Sequence, residues 1–254
     1  MKIKGKTHSL SLLQIDTTPA NPGAHAARTL STIREAAGKK PGILILPEIW
    51  SGGFQYPAIK RAAQQTTSIV KELQAISRDH QSVIIGSLPE SRSGKLYNTA
   101  SVIDHGKVVG KYRKQRLFAP MGENRHFTAG RRHGVFTTSA GTIAVAICFD
   151  LRFPELFPGM REKGVWLLIV PAQWPHPRCA HWESLLIARA IEGQFYAAGC
   201  NRVGTTGGTR FCGRSLIVEP GGKVVGRGGG RSEVVTRRVD PSHVAKLRKQ
   251  LPMG

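Results

Sequence analysis

Gly42-Ile43-Leu44-Ile45-Leu46 is an unbroken apolar run that stops at Pro47 and Glu48. A run this short, with no polar alternation, reads as a strand covered on both faces. Outward from it the period changes. Residues 24–37 have helical spacing that puts Leu30, Ile33 and Ala37 on one face, and residues 64–80 repeat it through Ile69, Leu73 and Ile76. Residues 9–15 and 82–88 read as further strands. Buried strands alternating with amphipathic helices predict an α/β layer arrangement.

Beyond residue 96 the rhythm shifts to hairpins. Residues 98–104 and 107–112 are two strands meeting at His105-Gly106, and an extended loop spans 113–133. Residues 142–148 form another apolar strand, 153–163 a helix, 165–170 a strand, 180–195 a helix and 197–202 a strand. The last strands are expected at 215–218, 223–226 and 233–239, with Gly221 and Gly222 turning the chain, before a short helix from Pro241. No linker, repeat or low-complexity tract interrupts the pattern, so residues 1–254 are expected to form one domain.

The composition agrees. The 254 residues are 40% AVILMFWYC and 21% charged, which excludes wholesale disorder. The longest apolar stretch, 165–170, is far below the roughly 20 residues that cross a bilayer. The start is basic, but Thr7-His8-Ser9 interrupts any secretory core, so a cytoplasmic protein is expected. Cys148, Cys179, Cys200 and Cys212 are widely spaced with no C-x-x-C pair and are expected to be reduced thiols.

Charge is the unusual quantity. Thirty-seven Lys and Arg against 16 Asp and Glu give +21, with one acid, Glu123, among eight basic residues between 107 and 133. Such an excess suits nucleic acid, an anionic surface or an acidic substrate. The basic helix, zinc module or exposed aromatics of a nucleic-acid binder do not stand out, so neither nucleic acid nor membrane is the expected partner.

Three reactive side chains follow apolar strands: Glu48 after 42–46, Lys114 after 107–112 and Cys148 at the end of 142–147. Carboxyl ends of strands hold ligands in open α/β sheets, so the three could converge. A free thiol has a pKa of about 8.5 and needs a base at neutral pH. Glu48 would take its proton, and Lys114 with the backbone N–H of Phe149 would hold the oxyanion of a tetrahedral intermediate. That set suits acyl transfer from an amide to water and needs no metal or organic cofactor. Taken singly, each residue also has an unremarkable reading: a core cysteine, a solvated loop carboxylate, a surface lysine.

The wording around them narrows the choice. Leu46-Pro47-Glu48-Ile49-Trp50-Ser51-Gly52-Gly53-Phe54, Tyr112-Arg113-Lys114-Gln115-Arg116-Leu117-Phe118 and Cys148-Phe149-Asp150-Leu151-Arg152-Phe153-Pro154-Glu155 resemble, in order and spacing, the three signature segments of the nitrilase superfamily of carbon-nitrogen hydrolases. The resemblance implies an αββα sandwich, a catalytic Glu48-Lys114-Cys148 triad, and a second glutamate, matched by Glu123, that positions lysine and substrate. It also implies a homodimer. Arg116 departs from the pattern, since many relatives have His there. A structural ion pair with a neighbouring Arg stays open for Glu123.

Within the superfamily, residues 148–154 and 172–182 look most like the omega-amidases, which hydrolyse the terminal amide of short 2-oxo dicarboxylic monoamides such as 2-oxoglutaramate. Arg178 is the candidate for the far carboxylate, because a guanidinium matches it with two parallel donors. Trp174 and Phe149 are candidate substrate-binding residues. Amidases acting on deaminated glutathione or N-carbamoyl amines are the alternatives within the superfamily. A basic nucleic-acid binder or a catalytically silent scaffold is the alternative outside it. His176, Cys179 and His181 lie close together, but no fourth ligand is evident and no metal is expected.

Overall fold

The computed structural model describes residues 7–17, 22–39 and 42–253. The basic start at residues 1–6, the part that would suit a secretory n-region, lies outside them. In chain order the elements are β1 (His8–Gln14), α1 (Pro22–Gly38), β2 (Ile43–Ile45), α2 (Tyr56–Asp79), β3 (Val83–Arg92), β4 (Lys95–Asp104), β5 (Lys107–Arg113) and the single turn α3 (Glu123–His126). Then come β6 (Val135–Thr138), β7 (Gly141–Val145), β8 (Leu167–Ala172), α4 (Cys179–Gly193) and β9 (Tyr196–Asn201). The chain closes with β10 (Thr205–Thr206), β11 (Thr209–Arg210), β12 (Leu216–Val218), β13 (Val224–Arg227), β14 (Glu233–Val239) and α5 (Pro241–Gln250).

The strands form two six-stranded sheets, ordered β14-β1-β2-β3-β4-β5 and β13-β12-β9-β8-β7-β6, plus the small β10-β11 ribbon. Each sheet has three parallel strands at its centre, β1-β2-β3 and β7-β8-β9, with antiparallel strands outside them. Period-2 alternation explains the layering. Leu10, Leu12, Ile43, Ile45, Val83 and Ile85 point between the sheets, where they join Ile143, Val145, Leu167 and Ile169 in one core. Their neighbours Leu13, Leu44, Leu46 and Ile84 point the other way and are covered by Ile33 and Ala37 of α1 and Ile69, Leu73 and Ile76 of α2. On the outer face of the second sheet, Trp182, Leu186 and Ala190 of α4 close the sandwich. The architecture is αββα. Each fully buried Leu or Ile contributes roughly 1.5–3 kcal/mol of transfer free energy.

The hairpin at His105-Gly106 is present, both residues having positive φ as a type I′ turn requires. Four expectations need correction. No helix spans 153–163: a 3-10 turn occupies Pro154–Leu156 and turns follow, because Pro158 and Gly159 cannot continue it. The 113–133 loop contains a 3-10 turn at Ala119–Met121 and α3. The strand before Cys148 ends at Val145, and Cys148 instead opens a 3-10 turn to Arg152. Cys179 and Cys212 are not free thiols but are joined as a disulfide, with Cα atoms 6.3 Å apart, leaving Cys148 and Cys200 free.

Candidate active site

The polarity of the strands brings the chemistry to one end of the sandwich. β2 and β3 run in parallel and β4 reverses, so β5 again runs with β2. Glu48 beyond β2, Lys114 beyond β5 and Asn98 near the start of β4 therefore share one end of the first sheet. Cys148 beyond β7 and Gln173 beyond β8 face them from the second. Two non-glycine residues beside the reactive groups take left-handed backbone, Ile49 at φ 43° and Cys148 at φ 47°. Such conformations persist only where the surroundings enforce them, and they gather at functional sites. For Ile49 the restraint is its N–H to the Ser87 hydroxyl at 2.9 Å, plus its carbonyl accepting the Gly53 N–H at 2.8 Å. For Cys148 it is Asp150.

Asp150 is fully buried and accepts four hydrogen bonds: from the Ile147 N–H (2.9 Å), the Tyr112 hydroxyl (2.8 Å) and the backbone N–H groups of Gln115 (3.2 Å) and Arg116 (2.8 Å). It fastens the turn that carries Cys148 to the segment that carries Lys114. Burial pushes its carboxyl up to about 6, against the pull of those donors and of Lys114.

Lys114 is 1% exposed and lies between two buried carboxylates, donating from Nζ to Glu48 Oε1 at 2.8 Å and to Glu123 Oε2 at 2.6 Å. Asn98 Nδ2 bridges the same pair, at 2.8 Å to Glu48 Oε1 and 3.2 Å to Glu123 Oε1. The Phe118 N–H gives Glu123 Oε2 a further donor at 2.7 Å. Burial works against the ammonium, but Glu123 and Glu48 outweigh it and hold the Lys114 pKa well above its ordinary value. Burial, with Glu123 adding, raises Glu48. Burial and the Glu48 charge push the Cys148 thiol well up. The resting group is thus a protonated thiol, its Sγ 3.8 Å from the Gln173 carbonyl, with the Glu48 carboxyl of raised proton affinity and the charged Lys114 lining the same cleft. This arrangement can transfer the thiol proton as the sulfur attacks, without holding a thiolate beforehand.

Cys148 borders two adjoining clefts. One is lined by Glu48, Lys114, Glu123, Phe54 and Tyr56. The other is lined by Phe149, Arg152, Trp174 and Arg178. The predicted residues therefore fall around one thiol: Glu48, Lys114 and Glu123 on one side, Phe149, Trp174 and Arg178 on the other. Phe149 packs between Phe118 and Phe153, at ring separations of 4.8 and 5.1 Å. Trp174 donates its indole N–H to the Arg178 carbonyl at 2.8 Å and carries the Arg152 guanidinium 4.9 Å above its ring. Among the described residues, neither Arg152 nor Arg178 forms an ion pair with a carboxylate. Arg116 points away, to Glu155 at 2.7 Å and over the Phe153 ring at 4.8 Å, while its N–H serves Asp150.

A family model described as carbon-nitrogen hydrolase matches residues 9–249. This chain belongs to the carbon-nitrogen hydrolase family. Among curated relatives of this carbon-nitrogen hydrolase, the 2-oxoglutaramate amidase of Bacillus subtilis (strain 168) is 33% identical over 96% of this chain and 95% of its own. The omega-amidase NIT2 of Xenopus tropicalis is 31% identical over 96% of this chain and 92% of its own. Among solved structures, Saccharomyces cerevisiae Nit3, a member of branch 10 of the nitrilase superfamily, superposes with a TM-score of 0.91 at 25% identity, covering 100% of this chain and 97% of that one.

Sequence reasoning about this carbon-nitrogen hydrolase missed Asn98, Asp150, Arg152 and Gln173. Asp150 and Arg152 lay inside the quoted cysteine segment, unassigned. Asn98 and Gln173 are polar residues at strand ends, a signal too common to single them out. The His176, Cys179 and His181 group is dispersed: Cys179 is in the disulfide and His181 Nδ1 is 3.1 Å from Arg152 Nη2. Among the described residues no group of three or more His, Cys, Asp or Glu is gathered for a metal ion.

Proposed function

We propose that Cys148, Glu48, Lys114 and Glu123 are the catalytic set and that the substrate is a short 2-oxo dicarboxylic acid monoamide. The observation that carries the substrate reading is the placement of Arg178 and Arg152, without carboxylate partners among the described residues, in the cleft next to the thiol. Two guanidiniums, held by Trp174 and Phe118 rather than by acids, offer a fork for a substrate carboxylate.

In this mechanism the amide carbon is attacked by Cys148 Sγ while the thiol proton passes to Glu48. The oxyanion formed is stabilised by the Lys114 ammonium and the Phe149 N–H. Glu48 returns the proton to the nitrogen, the C–N bond breaks and ammonia leaves, giving a thioester on Cys148. Water, deprotonated by Glu48, attacks the thioester; the C–S bond breaks, the sulfur regains a proton and the dicarboxylate departs. Glu123 keeps Lys114 and the amide in line.

The test is ammonia release from 2-oxoglutaramate, 2-oxosuccinamate, deaminated glutathione, N-carbamoyl amines and neutral amides of matched length. Selective turnover of the 2-oxo acid amides is expected. Arg178→Ala should raise KM for those substrates by roughly 10-fold or more and leave neutral amides unchanged; an equal loss on both overturns its recognition role. The same reading takes the protein as a cytoplasmic homodimer with no nucleic-acid partner. Sedimentation checks the dimer, and binding to duplex DNA at near-physiological salt would contradict the last part. No described helix is long and apolar enough to cross a membrane.

A further inference from the structure

Glu48 is held from two directions by different kinds of contact. Its Oε1 is occupied by two donors, Lys114 Nζ and Asn98 Nδ2, both at 2.8 Å. Its Oε2 receives one, the backbone N–H of Gln173 at 2.9 Å. The side chain of the same Gln173 donates from Nε2 to the Glu48 backbone carbonyl at 2.7 Å. The Gln173 carbonyl, in turn, lies 3.8 Å from the Cys148 thiol as its acceptor. One residue thus touches the carboxylate, the backbone that carries it and the sulfur.

The Gln173 amide is itself fixed. Arg202, fully buried at the end of β9, donates from Nη1 to Gln173 Oε1 at 3.2 Å. A guanidinium only donates, so the oxygen of the amide must face it and the nitrogen must face Glu48. Arg202 is anchored by Asp16 Oδ1 at 2.9 Å, the Val203 carbonyl at 2.9 Å and the Phe211 ring at 4.3 Å. None of these anchors lines either cleft beside Cys148.

We propose that Gln173, with its amide oriented by Arg202, is a positioning residue that aims Glu48 Oε2 at the Cys148 thiol and so makes Oε2 the oxygen that takes the proton. Oε1 has two donors and little capacity for a third, whereas Oε2 has one donor and lies on the Gln173 side, where the thiol is. Arg202 lines neither cleft; Gln173 borders both, with its side-chain amide engaged by the Glu48 carbonyl and Arg202. They act through Glu48, and the inference rests on Glu48 as the base. The charged or titratable groups around Glu48 are Lys114, Glu123, Cys148 and Tyr56, with Arg202 and Asp16 behind Gln173.

The test uses Gln173→Met, which keeps the length and bulk of the side chain and removes its hydrogen bonds, with Arg202→Lys as a second variant and Glu48→Gln as the reference. The readouts are kcat and KM on a turned-over amide, the pH profile of kcat/KM and the melting temperature. Gln173→Met is expected to lower kcat at least 10-fold with KM within about twofold, and to move the acid limb upward, because the side-chain bonds to the Glu48 carbonyl and to Arg202 that keep the Gln173 backbone N–H seated on Oε2 are lost. Arg202→Lys should produce the same pattern in milder form. Wild-type kcat and an unmoved acid limb in a folded Gln173→Met protein overturn the proposal. So does a loss confined to melting temperature, which marks a purely structural residue. Full activity in Glu48→Gln instead overturns the general-base reading itself, a result distinguishable from failure of the positioning role.

Discussion

At the scale of single residues, the site is a balance of proton affinities set by burial. Cys148, Glu48 and Lys114 are all removed from water, yet burial raises the first two and is overruled by two carboxylates at the third. In the proposed mechanism attack requires Glu48 unprotonated, so activity is expected to be low in acid and to rise as pH passes upward through the raised Glu48 value. Because the Glu123 charge is one cause of that elevation, Glu123→Gln should move the acid limb of kcat/KM to lower pH. It should also lower kcat by roughly 10²-fold, through loss of Lys114 alignment. A pH profile measured on both proteins checks the sign; a limb moved upward contradicts it. Asp150→Asn should be the most destabilising change near the site, since it replaces an acceptor that serves four donors with a group that brings donors of its own. A loss of about 1–3 kcal/mol or more in denaturant unfolding is expected. Glu48, Lys114 and Cys148 drew notice because each follows an apolar run, but it was the resemblance of the segments around them that gave the three a catalytic reading. Gln173 and Asn98 were not legible, because their meaning comes only from facing Glu48 across the gap between two sheets.

At the scale of elements, the strands were easier to read than their ends. The continuous run at 42–46 could only be a doubly covered strand, but β3 extends to Arg92, through Pro89 and Glu90, which no apolar pattern announces. Glu90 explains the extension. It accepts from Thr99 Oγ1 on β4 at 2.9 Å, and from Lys111 Nζ at 2.8 Å and Arg113 Nε at 2.9 Å on β5, tying three strands together. Burial pushes its carboxyl upward, but these three donors together hold it below its ordinary 4.5. A lowered folded value means that Glu90 adds stability above the unfolded value and loses it as pH falls through the folded one. Glu90→Gln should therefore cost about 2 kcal/mol at neutral pH, with the difference from the parent shrinking below about pH 4.5. Urea unfolding at pH 7 and in acid measures it; a difference independent of pH would contradict the ion-pair origin. The expected helix at 153–163 failed for the opposite reason, because apolar spacing there was real but the prolines break the backbone ladder.

At the scale of the whole molecule, the sequence led to α/β layers and, through resemblance, to the αββα sandwich, but local pattern could not pair distant strands. The last three long strands look alike in sequence, yet β12 and β13 join the second sheet while β14 crosses to the first and pairs along β1 from His8↔Val239 to Gln14↔Glu233. β14 covers an edge of β1 that would otherwise present unpaired backbone groups. Deleting residues 233–254 should therefore abolish soluble expression or leave a chain without a cooperative melting transition. A truncated protein with unchanged melting would show that the edge is dispensable. What the two sheets jointly build is one thiol between a carboxylate-lysine chamber and an arginine-lined cleft, and the central claim is that this thiol carries the acyl group. The most direct measurement is acid quenching during turnover of 2-oxoglutaramate, followed by intact mass and peptide mapping. The account predicts a mass gain equal to substrate minus ammonia, confined to Cys148, with both adduct and turnover absent in Cys148→Ala. Turnover that persists in Cys148→Ala, or an acyl group found on Cys200, would contradict it.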